Sequence, residues 1–196
     1  MKNTKSLILD ATTQWIREKD YREISLRTLT NSIGITTGAF YKHFNSKEDL
    51  YYQVSILLSQ ELTERLNIDI TAEPTSELLK VAEQICLLFK NEPYLMEFIM
   101  LNQSNNLDTQ NFMFLDAINK LIQQVNPTEN EQSNKALFIQ LWSFIQGYGA
   151  LIKNKITNYD HELVKNTLYK IFWRNKNMHT LIIYCHPYQH SLTMPY

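Results

Sequence analysis

The chain has 196 residues, of which 44% are hydrophobic, 20% charged and 12% aromatic, with only 4 Gly and 5 Pro. A domain of this size buries enough apolar surface to need no disulfide or metal staple, and so little Gly and Pro argues against a turn-rich all-β fold and against disorder. The two cysteines, Cys86 and Cys185, lie far apart, nothing at the start reads as a secretory leader, and the longest apolar runs are too short to span a bilayer, so a cytoplasmic protein without membrane contact is expected.

In chain order, Thr4 offers an N-cap for a helix to about Lys19, with Leu7, Ile8, Ala11, Trp15 and Ile16 as its apolar stripe. Ser25 caps a second helix carrying Leu29 and Ile33, and Gly34 stands where a left-handed residue ends it. Thr36 caps a third helix through Phe44, and the Ser46-x-x-Asp49 pattern opens a fourth over 47–66. The stretch 67–75, with Pro74, reads as a connection. Further helices are expected at about 76–90, 93–102, 109–125, 132–155 and 160–174, the segment Leu78 to Phe89 being apolar nearly all round and hence central.

Net charge is −1, yet its distribution is uneven: residues 1–50 carry eight basic groups against six acids, the remainder eleven against fourteen. Ile24 to Lys47 holds no Asp or Glu at all, the local condition for approaching phosphates. Leu26 to Phe44 reads as a helix-turn-helix, two short helices joined by Gly34-Ile35, with small residues Thr36-Thr37-Gly38-Ala39 opening the second. Phe40 and Phe44, four apart, face inward, which leaves Tyr41, Lys42 and His43 outward as hydrogen-bond donors to phosphates, with Lys42 in reach of bases.

Ile8-Leu9-Asp10-Ala11, Tyr21, Leu26-Arg27, Leu29, Ile33 through Phe44 and Ser46-Lys47-Glu48-Asp49-Leu50 together resemble the N-terminal domain of the TetR/AcrR family of bacterial transcriptional regulators. The resemblance implies an all-α fold of about nine helices: a helix-turn-helix DNA-binding domain over 1–50 (motif about 26–45), a connecting fourth helix, and a ligand-binding and dimerisation domain over 51–175. It further implies a homodimer on a palindromic double-stranded operator and repression relieved by a small molecule. Gly34 and Gly38 are not followed by Lys-Ser/Thr, and neither Gly-x-Ser-x-Gly nor Cys-x-x-Cys occurs, so no cofactor and no enzymatic activity are expected. Carried over by position, the DNA contacts are Arg27, Thr36, Thr37, Gly38, Ala39, Tyr41, Lys42, His43 and Lys47. Thr37 stands where many relatives have a lysine and Ala39 where a polar reader is common, so direct base readout is expected to be sparse.

The resemblance also places a pocket among Met96, Phe98, Met100, Phe112, Trp142, Gln146 and Tyr148, suited to an apolar or aromatic effector; the same residues equally describe a packed core. Gly147, Leu163, Val164, Leu168, Ile171 and Phe172 are expected in the dimer interface, with burial inside one subunit as the alternative. Residues 176–196 stand apart: Met178 to Ser191 reads as a buried strand and a loop, similar to the start of flavodoxin-like NAD(P)H:quinone oxidoreductases, as if the frame ran into a neighbouring gene; an accidental apolar tail is the other reading. An isolated strand binds no flavin. Cys185, His186 and His190, near His179, could suggest zinc, but Pro187 opposes a helix there and no metal is expected. A non-catalytic helical interaction protein and a flavin-dependent oxidoreductase fragment are the alternatives.

Overall fold

The computed structural model describes residues 3–101, 113–127 and 130–184. These form α1 (Thr4–Glu18), a 3-10 turn (Tyr21–Glu23), α2 (Leu26–Ser32), α3 (Thr37–Phe40), α4 (Lys47–Leu66), α5 (Pro74–Asn91), α6 (Pro93–Leu101), α7 (Met113–Val125), α8 (Glu131–Lys153) and α9 (His161–Tyr184). The fold is all-α, as expected.

Helix starts follow side-chain capping. Asn3, one residue before the expected Thr4, accepts the Ser6 N–H at 2.8 Å; Ser25 accepts that of Thr28 at 3.0 Å, and Ser46 that of Asp49 at 3.1 Å. At α5 the helix begins two residues earlier than the sequence suggests. Pro74 occupies the first helical position, where its missing N–H costs nothing, and Glu73 caps it through the N–H groups of Thr75 and Ser76.

α5 is the central helix, packed on α6, α7, α8 and α9. It buries Leu78, Val81, Ala82, Ile85, Cys86 and Phe89, while Leu87 stays exposed. Burial pushes the Cys86 thiol up to about 12, so it remains a protonated apolar filler. The closest approach of α5 to α8 is at Gly149: a Cβ there would lie 2.3 Å from the Phe89 ring. This approach lies within one protomer.

α6 attaches the first 66 residues to the rest. Phe98, buried, stands edge-on to Tyr21 at 5.3 Å and to Tyr51 at 5.6 Å between ring centroids, and the Tyr51 hydroxyl donates to the Tyr21 carbonyl at 2.6 Å. Around this cluster Glu97 pairs with Arg22 at 2.7 Å and Lys153 at 2.6 Å, while Glu92 pairs with Arg17 at 3.0 Å and with Arg65. The two arginines hold the Glu92 carboxyl below its ordinary range, Arg65 most.

The strand expected from Met178 is not formed within the described residues. The backbone continues α9 through Tyr184, one uninterrupted helix from His161, so an apolar run was mistaken for a strand where its length and lack of breakers suit helix as well. Cys185, His186, His190 and the rest of the tail lie outside the described residues. No helix among the described residues is long and apolar enough to cross a membrane.

Gly149→Ala forces a methyl into the Phe89 ring, and overpacking of this kind costs about 1–3 kcal/mol. The variant is expected to unfold several degrees below the wild type by differential scanning calorimetry; an unchanged Tm would refute this contact.

Candidate nucleic-acid interface

The segment Ser25 to Phe44 is built by local chemistry. α2 ends in a Schellman arrangement: the Gly34 N–H donates to the Asn31 carbonyl at 3.2 Å and the Ile35 N–H to the Thr30 carbonyl at 3.0 Å, with Gly34 at φ +70. Only glycine takes that angle without penalty. Thr36 then caps α3 through the Ala39 N–H at 3.1 Å. Phe40 and Phe44 are buried and stacked 5.3 Å apart, pinning the far end of the motif, and Leu29 and Ile24 close the core beneath it.

α3 is shorter than its sequence suggests. The regular helix ends at Phe40 and passes through a turn, with the His43 N–H on the Phe40 carbonyl at 2.9 Å. Four residues align too few peptides for a strong dipole; the N–H groups of Thr37 and Gly38, in the first turn, simply have no intrahelical acceptor.

Arg27, Thr36, Thr37, Gly38, Tyr41, Lys42 and His43 are all exposed, Tyr41 by 58%, whereas Ala39 and Lys47 are half-buried. Arg27 and Lys42 meet no carboxylate among the described residues. Lys47 lies over the Tyr51 ring at 5.1 Å. Lys5, not visible from spacing, joins this region through the packing of α1: its ammonium stands 5.6 Å from the Phe44 ring centroid. Only the tertiary contact of α1 with the motif reveals it.

Gly38 is informative. A Cβ there would meet nothing nearer than the Thr36 hydroxyl oxygen at 3.8 Å, so the protein's own packing does not require glycine. A glycine inside a helix costs about 1 kcal/mol relative to alanine, and its missing side chain opens the exposed surface to a close partner.

The residues expected to line a pocket do not surround one cavity, although Gln146 and Met100 meet. Phe98 belongs to the tyrosine cluster; Met96 and Met100 are buried in α6, and Gln146 donates to the Met100 carbonyl at 3.2 Å. Tyr148 anchors the α8–α9 loop, donating to the Asn158 carbonyl at 2.9 Å and accepting the Asp160 N–H at 2.8 Å. Phe112 lies outside the described residues. A small apolar cavity of about 20 Å³ does lie between α5, α7 and α8, walled by Leu78, Val81, Ile118, Phe138, Leu141 and Trp142. Trp142 alone of the expected set lines it.

The expected interface is likewise corrected in part. Val164, Leu168 and Phe172 are buried within the protomer, since α9 turns them onto α5 and α8, and are unavailable to a second copy. Gly147 and Leu163 are exposed and Ile171 half-buried. Further exposed apolar residues on these helices are Ile139 and Leu151 on α8 and Tyr169 and Trp173 on α9. A period-3.6 stripe marks a buried face without saying what buries it.

Residues 8–54 match the family model described as bacterial regulatory proteins, tetR family. The HTH-type transcriptional regulator YerO of Bacillus subtilis (strain 168) is 26% identical over 156 residues, which are 76% of this chain and 51% of that protein; the chain thus spans about half the length of this curated relative. Among solved structures, a TetR family protein from Vibrio parahaemolyticus superposes with a TM-score of 0.62 at 17% identity, covering 87% of this chain and 97% of that one. The fatty acid degradation regulator FadR from Bacillus halodurans superposes at 0.61 and 17% identity, covering 88% and 96%. At these identities the structures attest the fold.

Gly38→Ala is expected to leave the fold intact or to raise its Tm by a few degrees, since space is open and alanine favours helix, while weakening any partner that approaches α3 closely. A lowered Tm would show that packing, not approach, keeps the glycine.

Proposed function

With an N-terminal domain that belongs to the TetR family of bacterial regulatory proteins, the chain is, we propose, a DNA-binding transcriptional regulator of non-enzymatic role, acting as a homodimer on a palindromic operator and releasing it when an effector binds. The observation that carries this reading is the acid-free helix-turn-helix whose Arg27, Lys42 and His43 are exposed beside a glycine that the protein's own packing does not require. Arg27, Lys42, His43 and Lys47 serve as phosphate contacts, Thr36, Thr37 and Tyr41 add hydroxyl donors, and Gly38 and Ala39 admit the backbone of α3 to the groove.

Two-fold symmetry of the operator requires a two-fold protein. The exposed faces of α8 and α9, with Ile139, Gly147 and Leu151 on one and Leu163, Tyr169 and Trp173 on the other, supply an apolar surface for it. The cavity between α5, α7 and α8 is water-sized as it stands. An apolar effector entering there displaces Trp142 or Phe138 and so couples occupancy to helix packing; binding one arrangement better than the other is what shifts the DNA-competent population.

The test is fluorescence anisotropy on a duplex selected from a random library by the wild-type protein. Arg27→Ala and Lys42→Ala are each expected to raise Kd about tenfold, or 1.4 kcal/mol, and to lower the slope of log K against log salt by about one. Unchanged affinity and slope in both variants would sink the proposal. Leu151→Lys is expected to give a folded monomer by light scattering with lost operator binding; a dimer with intact binding would remove α8 from the interface.

A further inference from the structure

A second concavity lies apart from that cavity and shares no residue with it. It is a groove of about 330 Å³ between the α5–α6 junction and the loop from α8 to α9, bordered by Phe89, Lys90, Pro93, Lys153, Lys155 and Tyr159. We infer that this groove is a binding site for a small organic anion, a carboxylate carried on an aromatic body.

Three lysines border it in a part of the chain that is acidic on balance. Lys90 and Lys155 are exposed and meet no carboxylate among the described residues. Lys153 is held in place by Glu97 at 2.6 Å, with its side chain only 17% exposed. Of the nearby acids, Glu97 also binds Arg22, Asp160 accepts the Leu163 N–H at 3.0 Å as the cap of α9, and Glu83, which acts on the Tyr159 ring, stands 3.4 Å from His161. The apolar surface open to a ligand is Pro93 and the half-buried ring of Tyr159, backed by the buried Phe89 and Ile152. A carboxylate meets Lys90 and Lys155 while an aryl group covers the Tyr159 ring and Pro93; bare phosphate does only the first.

Lys155 sharpens the argument. α8 ends in a Schellman arrangement, the Lys155 N–H donating to the Ile152 carbonyl and the Ile156 N–H to the Leu151 carbonyl, both at 3.0 Å, with Lys155 in the left-handed position at φ 58. Glycine is the usual residue there, and a side chain costs about 1–2 kcal/mol. The strain stored at Lys155 points to a use for its side chain beyond the turn. The loop that follows it is tied to α8 by the Tyr148 hydroxyl, which bridges Asn158 and Asp160.

Isothermal titration of the full chain, without DNA, is the test, using benzoate and, separately, inorganic phosphate. Because no DNA is present, the outcome is independent of operator binding. Saturable benzoate binding is expected, tighter than phosphate, and weakened at least tenfold in both Lys90→Gln and Lys155→Gly. Lys155→Gly is expected at the same time to keep or raise Tm, since glycine relieves the left-handed strain. A structural role alone would not separate stability from binding in this way. Absence of saturable benzoate binding, benzoate binding that both variants retain, or phosphate bound as tightly as benzoate would each overturn the assignment.

Discussion

The ring of Phe98 fixes how the first third of the molecule sits on the remainder. Set edge-on between Tyr21 and Tyr51 and fully sequestered from water, it converts α6 into a peg against which the 3-10 turn and α4 close. The ion pairs around it are partly exposed and individually small in energy, so apolar and aromatic contact holds the joint while Glu92 and Glu97 set its angle. Pro93 starts α6 directly after Glu92, which accepts the Met96 N–H at 3.0 Å; the kink between α5 and α6 thus places the peg. The pose of α2 and α3 is inherited from this arrangement, because α2 docks on α1 and α1 docks on α6.

Legibility in the sequence follows the range of the interactions involved. Ser25, Gly34, Thr36 and Ser46 each act within three to five residues along the chain, and the structure puts them where spacing puts them. Phe40 and Phe44 face inward as their spacing of four suggests, although the helix ends at Phe40 and a turn carries Phe44 to the core. The C-terminal half was readable as helices and not as surfaces. Val164, Leu168 and Phe172 form a stripe, but whether α5 or a second protomer covers it depends on packing that no local pattern encodes. Met96, Phe98 and Met100 look like pocket walls by composition, yet α6 spends them on its own burial. The apolar residues after Met178 satisfied the strand pattern and the helix pattern together, and continuity with α9 decided between them.

Phe89 is the point where several constraints meet. Its ring lies against the backbone of α8 at Gly149 and borders the groove on the other side. A change that tilts α5 relative to α8 therefore alters the groove and the Phe98 joint together, since α6 follows α5 after a single residue. The small cavity farther along α5 is surrounded by the same pair of helices with α7. The two concavities are distinct in lining, one walled by apolar side chains, the other bordered by three lysines, and they lie along one central helix.

Glu97 carries a consequence for how salt titrations of this protein are to be interpreted. One carboxylate joins Arg22 on the helix-turn-helix side to Lys153 at the end of α8, and the two arms differ in exposure: the Arg22 side chain is 58% exposed, that of Lys153 17%. Mobile ions screen the first arm strongly and the second weakly. Raising ionic strength thus loosens the grip of the 3-10 turn on α6 without freeing α6 from α8. A salt slope measured for any polyanion bound near α3 then holds two contributions, displaced counterions and a softened internal hinge, and the number of contacts counted from it is an upper bound.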